Sequence, residues 1–398
     1  MIKTDIIISG GGVAGLMAAA AFGSAGFSVI CVDPAPPVTD EAAEGADLRT
    51  TAFLQPSVAV LEAAGLWSRL ARHAAPLQIM RIIDAGGETA EPRLIKDFDA
   101  AEIAGDIADQ PFGQNLPNWL LRREMVARLG EMPNVSFRPG TATTALLTRT
   151  AEARVSLSDG TTVSARLVVA ADGRASPMRA AAGIGVRTFR YGQKALSFAV
   201  THPLPHQNVS TEIHRSGGPF TLVPLPDRDG RPCSAVVWME RGPEVARLAA
   251  LDAAAFEAAA NARSCLTLGP LTLASKRAVW PIIAQLADRM SGERVALMAE
   301  AAHVVPPIGA QGLNMSLADL AALLDLARVH DLGSPAMLDE YHRRRHPGVT
   351  ARVLAVDALN RIAMLAAPPL RDLRAATLNA LHARAPVRKS LMKAGLGP

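Results

Sequence analysis

The sequence predicts an α/β protein in which a doubly wound parallel sheet is combined with an inserted antiparallel sheet and a helical C-terminal segment. Three observations lead to this prediction. A strand–helix–strand pattern occupies residues 6–33, and alternating β-branched runs with Pro and Gly turns lie within 191–238. From about residue 351 onward, apolar residues recur at helical spacing. These patterns indicate more than one structural unit.

The composition is that of a globular chain. The 398 residues are 49% hydrophobic and 20% charged, which excludes a disordered protein and suits two or three units. The three cysteines are scattered without ligand spacing, so they indicate no metal site and favour a reducing, cytoplasmic compartment. No apolar run is long enough for a membrane span, and Asp5 and the glycines interrupt the N-terminal run that a secretion signal would need.

The net charge is unevenly distributed. The formal charge is +4, but residues 361–398 hold seven basic side chains and one acidic side chain and therefore carry +6. The remaining residues together carry −2. The basic isoelectric point thus results from the C-terminal segment alone. Because the rest of the chain is slightly acidic, we expect no nucleic-acid partner.

The N-terminal segment has the pattern of a dinucleotide-binding Rossmann-like unit. An apolar strand at 6–8 is followed by glycines spaced G-x-G-x-x-G, an Ala-rich helix, and a second strand that ends in an acid. The glycines allow a tight turn, close approach of a pyrophosphate and close helix packing, and the acid suits a ribose hydroxyl. Because this acid would repel a 2′-phosphate, the resident dinucleotide is expected to be either FAD or NAD. The expected contacts are Gly10, Gly12, Val13, Ala14, Gly15 and Asp33.

Three later segments carry a family resemblance. Residues 47–67 contain Asp-Leu-Arg-Thr-Thr-Ala-Phe and later Leu-Glu-Ala-Ala-Gly-Leu-Trp, and residues 172–179 read Asp-Gly-Arg-Ala-Ser-Pro-Met-Arg. Residues 300–314 read Glu-Ala-Ala-His-Val-Val-Pro-Pro-Ile-Gly-Ala-Gln-Gly-Leu-Asn. Together they resemble the ubiquinone-biosynthesis hydroxylases, which belong to the FAD-dependent aromatic hydroxylases similar to para-hydroxybenzoate hydroxylase. The resemblance spans essentially the whole chain.

The resemblance implies FAD as the resident cofactor and NAD(P)H as a transient co-substrate. It implies that reduced FAD takes up O2 as a C4a-hydroperoxide, which hydroxylates an electron-rich phenol ring in a dry pocket. The further FAD contacts that it implies are Arg49, Arg122, Asp172, Glu300, Pro306, Gly309, Gln311, Gly312, Leu313 and Asn314. The expected substrate walls include Phe220, Leu222, Val223 and Pro307.

Protein side chains with a catalytic role are not identified. His303 is a conceivable general base, although such a histidine is more often a packed structural group. His202, His206 and His214 lie among Pro and Asn and are expected in loops. No metal-ligand cluster is visible in the sequence.

The chain also departs from the family pattern. Ala299-Glu300 stands where the family has Gly-Asp, and Ala310 replaces a glycine of the following turn. Glu keeps the charge but lengthens the side chain, and Ala adds a Cβ. We expect FAD to be retained with an altered contact at Glu300.

We expect a discontinuous FAD-binding domain at 1–75, 100–182 and 276–330, and a substrate-binding β-sheet domain at 76–99 and 183–275. A basic helical region is expected at 331–398. Its basic amphipathic pattern suits contact of 361–398 with an anionic membrane surface, and equally a helix packed on the body with a solvated basic face.

The predicted function is hydroxylation of the aromatic ring of a polyprenylated phenol in ubiquinone biosynthesis. The protein would be cytoplasmic and peripheral to the inner membrane, with a quinone-biosynthesis enzyme complex as a partner. Two alternatives stay open. One is hydroxylation of a small soluble aromatic acid, which an arginine in the pocket would favour. The other is a catalytically idle FAD-binding scaffold subunit of the quinone-biosynthesis complex.

Overall fold

The computed structural model describes residues 1–86, 91–103, 110–215, 217–365 and 367–396. In this part of the chain the strands are β1 (Ile2–Ser9), β2 (Val29–Asp33), β3 (Thr50–Leu54), β4 (Ala75–Leu77), β5 (Ile79–Asp84), β6 (Leu94–Asp99), β7 (Gly113–Pro117), β8 (Val135–Pro139), β9 (Thr143–Thr148), β10 (Ala153–Leu157), β11 (Thr162–Ala170), β12 (Val186–Thr201), β13 (Val209–His214), β14 (Pro219–Arg228), β15 (Arg231–Arg241), β16 (Thr272–Leu273), β17 (Ala278–Ala287), β18 (Ser291–Gly292), β19 (Val295–Leu297) and β20 (His303–Val304).

The α-helices are α1 (Val13–Ser24), α2 (Gln55–Ala63), α3 (Trp67–Leu70), α4 (Asn118–Gly130), α5 (Pro177–Ala181), α6 (Gly242–Ala250), α7 (Ala253–Ser264), α8 (Gln311–Val329), α9 (Pro335–Met364), α10 (Pro368–Ala383) and α11 (Ala385–Leu396). Short 3-10 turns lie at Ala71–His73, Ala100–Glu102 and Ala299–Ala301.

The first sheet contains the predicted dinucleotide-binding unit. Its strands run in the order β18-β19-β11-β1-β2-β8, and β10 and β9 extend it from β11. The pairs β1–β2, β1–β11, β2–β8 and β11–β19 are parallel. Apolar strands buried on both faces are typical of such parallel sheets, and Ile6, Ile7 and Ile8 are fully buried. The predicted α/β fold with a parallel sheet is confirmed.

The second sheet is the inserted one. It has the order β20-β17-β12-β15-β14-β13-β5-β6, with β16 paired to β12, and its long central pairs are antiparallel. The chain leaves the first sheet after β2 to form β5 and β6, and leaves it again after β11 to form β12 to β17. A small third sheet, β3-β7-β4, is formed by the segments that flank β5 and β6 in the chain, because β3 and β4 precede them and β7 follows.

The predicted domain boundary at 276 falls just before a strand of the second sheet. Strand β17 pairs with β12 from Val186 to Ser197, and β20 pairs with β17. The range 276–330 therefore contributes strands to both sheets, because β17 and the edge strand β20 belong to the inserted sheet whereas β18 and β19 belong to the first sheet. The division into domains stays a prediction.

The helical C-terminal segment is confirmed as α9, α10 and α11. The last two helices pack on the β5–β6 hairpin, where Met392 and Leu378 meet Phe98 in a small apolar cluster. Ion pairs connect Arg374 with Asp84, and others connect Arg388 with Glu102 and Arg93 with Asp372. Among the described residues, none of the helices has the length and apolar character needed to cross a bilayer.

Candidate active site

The glycine loop between β1 and α1 forms one end of a large cavity. Gly10 has φ +105°, and a side chain there would collide with the carbonyl of Ala171. A Cβ at Gly15 would collide with the carbonyl of Gly10, whereas one at Gly12 would meet nothing within 4 Å. Gly10 and Gly15 are therefore needed for packing, while Gly12 leaves open space at the start of α1.

The predicted N-terminal residues mostly face this cavity. Its wall includes Gly10, Gly12, Val13, Ala14 and Asp33, whereas Gly15 is buried beneath it. Gly12 is the N-cap of α1 and provides no side-chain cap, so the first amides of the helix remain available to an anion. One carboxylate oxygen of Asp33 accepts a hydrogen bond from the Gly11 amide at 2.6 Å, which holds the loop against β2.

Asp172, at the carboxyl end of β11, is a buried carboxylate with an unsatisfied oxygen. Its Oδ2 accepts hydrogen bonds from Ser9 Oγ at 3.2 Å and from the Met178 amide at 3.1 Å. Its Oδ1 has no hydrogen-bond partner among the described residues. Burial raises the pKa of Asp172, and the hydrogen bonds from Ser176, Met178 and Ser9 oppose this only in part. A ligand with a hydroxyl donor would satisfy this oxygen.

Asp47 organises a cluster on the opposite wall. It is almost completely buried, and Arg49 reaches both of its oxygens at 2.8 and 2.7 Å. Asn118 donates to it at 3.1 Å, and Arg122 lies 3.4 Å away. Burial alone would raise the pKa of Asp47, but these partners lower it below its ordinary value. The Arg49 guanidinium also lies 4.2 Å from the ring centre of Trp280.

The predicted residues Arg49, Arg122 and Asp172 all line the cavity. The sequence places a second arginine, Arg123, directly after Arg122. Arg122 contacts Asp47, whereas Arg123 lies over the Trp119 ring and pairs with Glu124. Arg122 is therefore the cavity residue.

The segment 299–313 delivers the start of α8 to the same cavity. Glu300, Pro307, Gly309, Gln311, Gly312 and Leu313 line it. The Glu300 side chain is 47% exposed and lies 3.8 Å from Arg174, so its carboxylate remains accessible to a ligand. The N-terminus of α8 carries no side-chain cap, which leaves a second helix start with free amides.

Both departures from the family glycines lie in left-handed backbone. Ala299 has φ +54°, and Ala310, the N-cap of α8, has φ +57°. An alanine is strained in this region by roughly 1–2 kcal/mol, whereas glycine is not. The turns thus keep the geometry that glycine permits, despite the added Cβ.

Pro306 and Asn314 lie outside the cavity wall that the described residues form. The Asn314 amide group donates to the carbonyls of Ala52 and Ala310, and its oxygen accepts from the Leu54 amide at 2.9 Å. Asn314 therefore fastens β3 to the start of α8. Gln311 is likewise engaged, because Arg352 donates to its oxygen at 2.8 Å and its amide reaches the Gly395 carbonyl at 3.1 Å.

His303 lines the cavity, and its imidazole is fixed by a buried carboxylate on the side away from the cavity. Its Nε2 lies 2.6 Å from Oδ2 of Asp319, and Arg345 donates to the other oxygen of that carboxylate at 2.8 Å. His303 and Asp319 are 2% and 0% exposed. The Nδ1 of His303 has no partner among the described residues. This arrangement fits the structural reading of His303.

The far end of the cavity is a face of the second sheet. Strand alternation decides which residues reach it. Thr221 and Val223 of β14 line the cavity, as do Ser210 and Glu212 of β13 and Val237 of β15. The expected wall residues Phe220 and Leu222 point to the opposite face.

Phe220 and Leu222 are buried in a core with Phe198, Trp238 and Phe256. Their assignment as substrate contacts is therefore wrong, because only every second residue of a strand faces one side. Val223 and Pro307 keep their proposed role. The sequence also missed Asp47, the polar residues of β13 and Thr221, and the expectation that His214 lies in a loop is wrong.

These residues fit FAD. A dinucleotide needs open space at Gly12, free amides at the start of α1 and an acceptor for a hydroxyl group, and the unsatisfied Asp172 oxygen supplies such an acceptor. The cavity of about 670 Å³ continues to the sheet, so a cofactor and a second molecule can meet inside it. The fold and the site define an FAD-binding protein of mixed α/β class.

Comparisons with known protein families agree with an FAD-binding protein. The family described as FAD binding domain matches residues 3–355. Ubiquinone hydroxylase UbiL of Rhodospirillum rubrum is 34% identical over 398 aligned residues, covering 99% of this chain and 89% of that protein. The 3-demethoxyubiquinol 3-hydroxylase of Escherichia coli is 27% identical, with 99% and 98% covered. The chain belongs to the FAD-dependent hydroxylases of ubiquinone biosynthesis.

A solved structure shows the same fold. p-Nitrophenol 4-monooxygenase PnpA from Pseudomonas putida superposes with a TM-score of 0.78 at 19% identity, covering 100% of this chain and 99% of that one. The helical C-terminal segment is thus included in the structural match.

Proposed function

We propose that this FAD-dependent hydroxylase acts on the ring of a neutral, prenylated phenol, with NAD(P)H and O2 as co-substrates. The observation that supports this proposal is the combination of apolar side chains with one negative charge at the end of the cavity formed by the second sheet. There the wall combines Leu77, Ile79, Met80 and Val223 with the carboxylate of Glu212. Such a surface suits an apolar chain attached to a ring with a hydroxyl donor.

A small aromatic acid fits this end of the cavity less well. The arginines in the described cavity wall are Arg49 and Arg122, and both lie against the buried Asp47. Arg49 is further covered by the Trp280 ring. A substrate carboxylate would therefore meet guanidinium groups that are already engaged by Asp47, and Glu212 would repel it.

Each remaining wall has a role in holding FAD. The amides at the start of α1 would hold the pyrophosphate, Asp33 and Glu300 would accept hydrogen bonds from its sugar and ribityl hydroxyls, and the unsatisfied oxygen of Asp172 would accept a further one. The amides at the start of α8 would stabilise negative charge on the ring system. Bound FAD supplies the redox chemistry, taking electrons from NAD(P)H and activating O2.

The apolar walls exclude water from the ring that is hydroxylated. Phe112, Leu54 and Val305 are among the apolar residues that line the cavity. A dry site matters, because water would divert reduced cofactor and O2 to hydrogen peroxide. The side-chain amide of Gln311 donates to the Gly395 carbonyl at 3.1 Å, so α11 packs beside the start of α8.

We also propose that α10 and α11 touch the membrane that holds such a substrate. Leu370, Leu373 and Leu381 form an outer stripe on α10 and are 41%, 63% and 40% exposed. Arg384 and Lys389 lie exposed beside it and make no ion pair with any residue that the structure describes. The inner face of α10 is meanwhile fixed to the hairpin through Arg374 and Asp84. An exposed apolar stripe with free cations suits an anionic lipid surface.

Deletion of the gene, followed by mass analysis of the quinone pool, tests the proposed function. We expect an under-hydroxylated prenylated precursor to accumulate and to disappear when the chain is restored. A normal pool without any precursor would instead favour a soluble substrate. A purified FAD-loaded protein that oxidises no NAD(P)H with any phenol would favour the idle scaffold.

A further inference from the structure

We propose that Glu212, supported by His214, binds the hydroxyl group of the phenol and takes its proton during ring hydroxylation. This inference rests on the proposed function and names the residue that recognises its substrate class. The two side chains lie two residues apart on β13, so both point to the same face of the sheet. Glu212 lines the cavity on that face.

The register of the sheet surrounds Glu212 with polar and apolar neighbours. Glu212 lies opposite Thr221 of β14 and opposite Ile82 of β5. Thr221 in turn lies opposite Val237 of β15, which also lines the cavity. Side chains directly opposite each other in a sheet are in contact range. The Glu212 carboxylate thus lies beside the Thr221 hydroxyl group on a cavity wall that is otherwise largely apolar.

The Glu212 carboxylate is only half engaged by the protein. Its Oε1 lies 2.7 Å from Nε2 of His214, and each side chain is 14% exposed. Its Oε2 has no hydrogen bond to any residue in the described ranges. The Nδ1 of His214 is buried and has no partner there either. The imidazole therefore lies against one oxygen of the Glu212 carboxylate and leaves Oε2 for a ligand.

A purely structural role explains this pair poorly. An ion pair between two positions of one strand joins no separate elements, and its contribution to stability is small. A mostly buried carboxylate at the floor of an apolar cavity costs solvation free energy. A hydrogen-bond donor on the substrate would recover that cost, and a phenol provides one.

The chemistry needs a proton acceptor at this position. When the ring attacks an electrophilic oxygen atom of activated O2, ortho or para to its own hydroxyl, a carbon–oxygen bond forms from the ring electrons. The oxygen–oxygen bond breaks at the same time and its electron pair leaves with the second oxygen atom, while positive charge spreads to the phenol oxygen. The O–H bond then breaks, its electron pair stays on the oxygen to form the dienone, and the proton moves to Oε2 of Glu212. A carboxylate is basic enough for this acidified hydroxyl, even though it could not deprotonate a resting phenol.

Binding of two matched probes to the FAD-loaded protein tests this inference. The probes are 2-geranylphenol and its methyl ether, titrated in one detergent while the flavin absorption spectrum is followed. We expect the wild type to bind the phenol about tenfold to a hundredfold more tightly than the ether, because a hydrogen bond to a charged acceptor is lost in the ether. Glu212→Ala should bind both probes equally, with its FAD affinity unchanged.

Two further variants separate recognition from folding. Glu212→Gln keeps the size and a neutral acceptor, so it should keep part of the preference. Glu244→Ala, which removes an exposed carboxylate of α6 outside the cavity wall, should keep all of it. A preference for the phenol that survives in Glu212→Ala would overturn the inference, as would a wild type that binds both probes equally. A wild type that binds neither probe would overturn the proposed function itself and the inference with it.

Discussion

Nε2 of His303 lies 2.6 Å from Oδ2 of Asp319, and both side chains are buried beneath the start of α8. Arg345 of α9 holds the second oxygen of Asp319. This cluster joins the strand after the Ala299–Ala301 turn to two helices. We therefore propose that it positions the cavity segment 299–313, with His303 in a structural role.

Removal of Asp319 should destabilise the protein strongly. Asp319→Ala leaves Arg345 buried without its partner and removes the acceptor of His303, so the free energy of unfolding should fall by about 3–5 kcal/mol in denaturant titrations. Asp325→Ala is the matched control on the same helix, because the Asp325–Arg344 pair is exposed and should be worth less than about 1 kcal/mol. Equal losses in the two variants would contradict this account.

Asp172→Asn should weaken FAD binding while it stabilises the FAD-free protein. Burial raises the pKa of Asp172 in the folded state. The stability that this group contributes is thus present below its ordinary pKa and is lost as pH rises through the raised value. At neutral pH the charged form therefore destabilises the fold, and Asn removes this charge. Thermal melting of both proteins without FAD, at neutral pH and at pH 5, measures the effect.

We expect the melting temperature of Asp172→Asn to exceed that of the wild type at neutral pH, with a smaller gap at pH 5. FAD affinity, measured by fluorescence quenching, should fall about tenfold or more, because the unsatisfied oxygen is the proposed cofactor contact. A variant that binds FAD as well as the wild type would remove Asp172 from the site.

Ala310→Gly should stabilise the protein. Ala310 has φ +57°, where alanine is strained and glycine is not. After the greater chain entropy of glycine is subtracted, a gain of about 0.5–1 kcal/mol remains. Ala258→Gly, in the exposed middle of α7, should instead lose about 1 kcal/mol. Urea unfolding of the two variants and the wild type measures whether each change raises or lowers the free energy of unfolding. A lower value in both variants would show that the turn is not strained.

Leu373→Asp should reduce binding to anionic vesicles. The side chain is 63% exposed on the outer stripe of α10, so the change should leave the fold intact. Loss of one buried leucine from a lipid surface should weaken binding about tenfold or more in a sedimentation assay. Leu147→Asp, on β9 and 51% exposed, is the control that should bind as the wild type does. Failure of the unaltered protein to sediment with anionic vesicles would end the membrane proposal.

Local patterns in the sequence predicted the parts of the site that local geometry builds. The glycine spacing fixed the loop at Gly10 and Gly12, and a strand that ends in Asp-Gly placed Asp172 at the sheet edge. Pairing between distant segments was not predictable in this way. The parallel pairing of β13 with β5 brings Glu212 beside Ile82. The hydrophobic pattern of neither segment predicts this pairing.

The strand face was the other unpredictable element. In the run 220–223, a shift of one residue exchanges Thr221 and Val223 for Phe220 and Leu222 in the cavity wall. Apolar character favoured Phe220, but the larger side chains fill the core under α6 and α7 and leave the smaller ones to the cavity. The family signature at 300–314 likewise included Asn314, whose amide serves the backbone of β3.

The most direct test of the account is hydroxylation by the purified, FAD-loaded protein under isotopically labelled O2. A 2-polyprenylphenol is supplied in anionic vesicles with NAD(P)H, and the product is analysed by mass spectrometry. We predict a hydroxylated prenylphenol that carries one labelled oxygen atom for each hydroxyl group added. Oxidation of NAD(P)H without any labelled phenol product, while a soluble aromatic acid is hydroxylated under the same conditions, would contradict it.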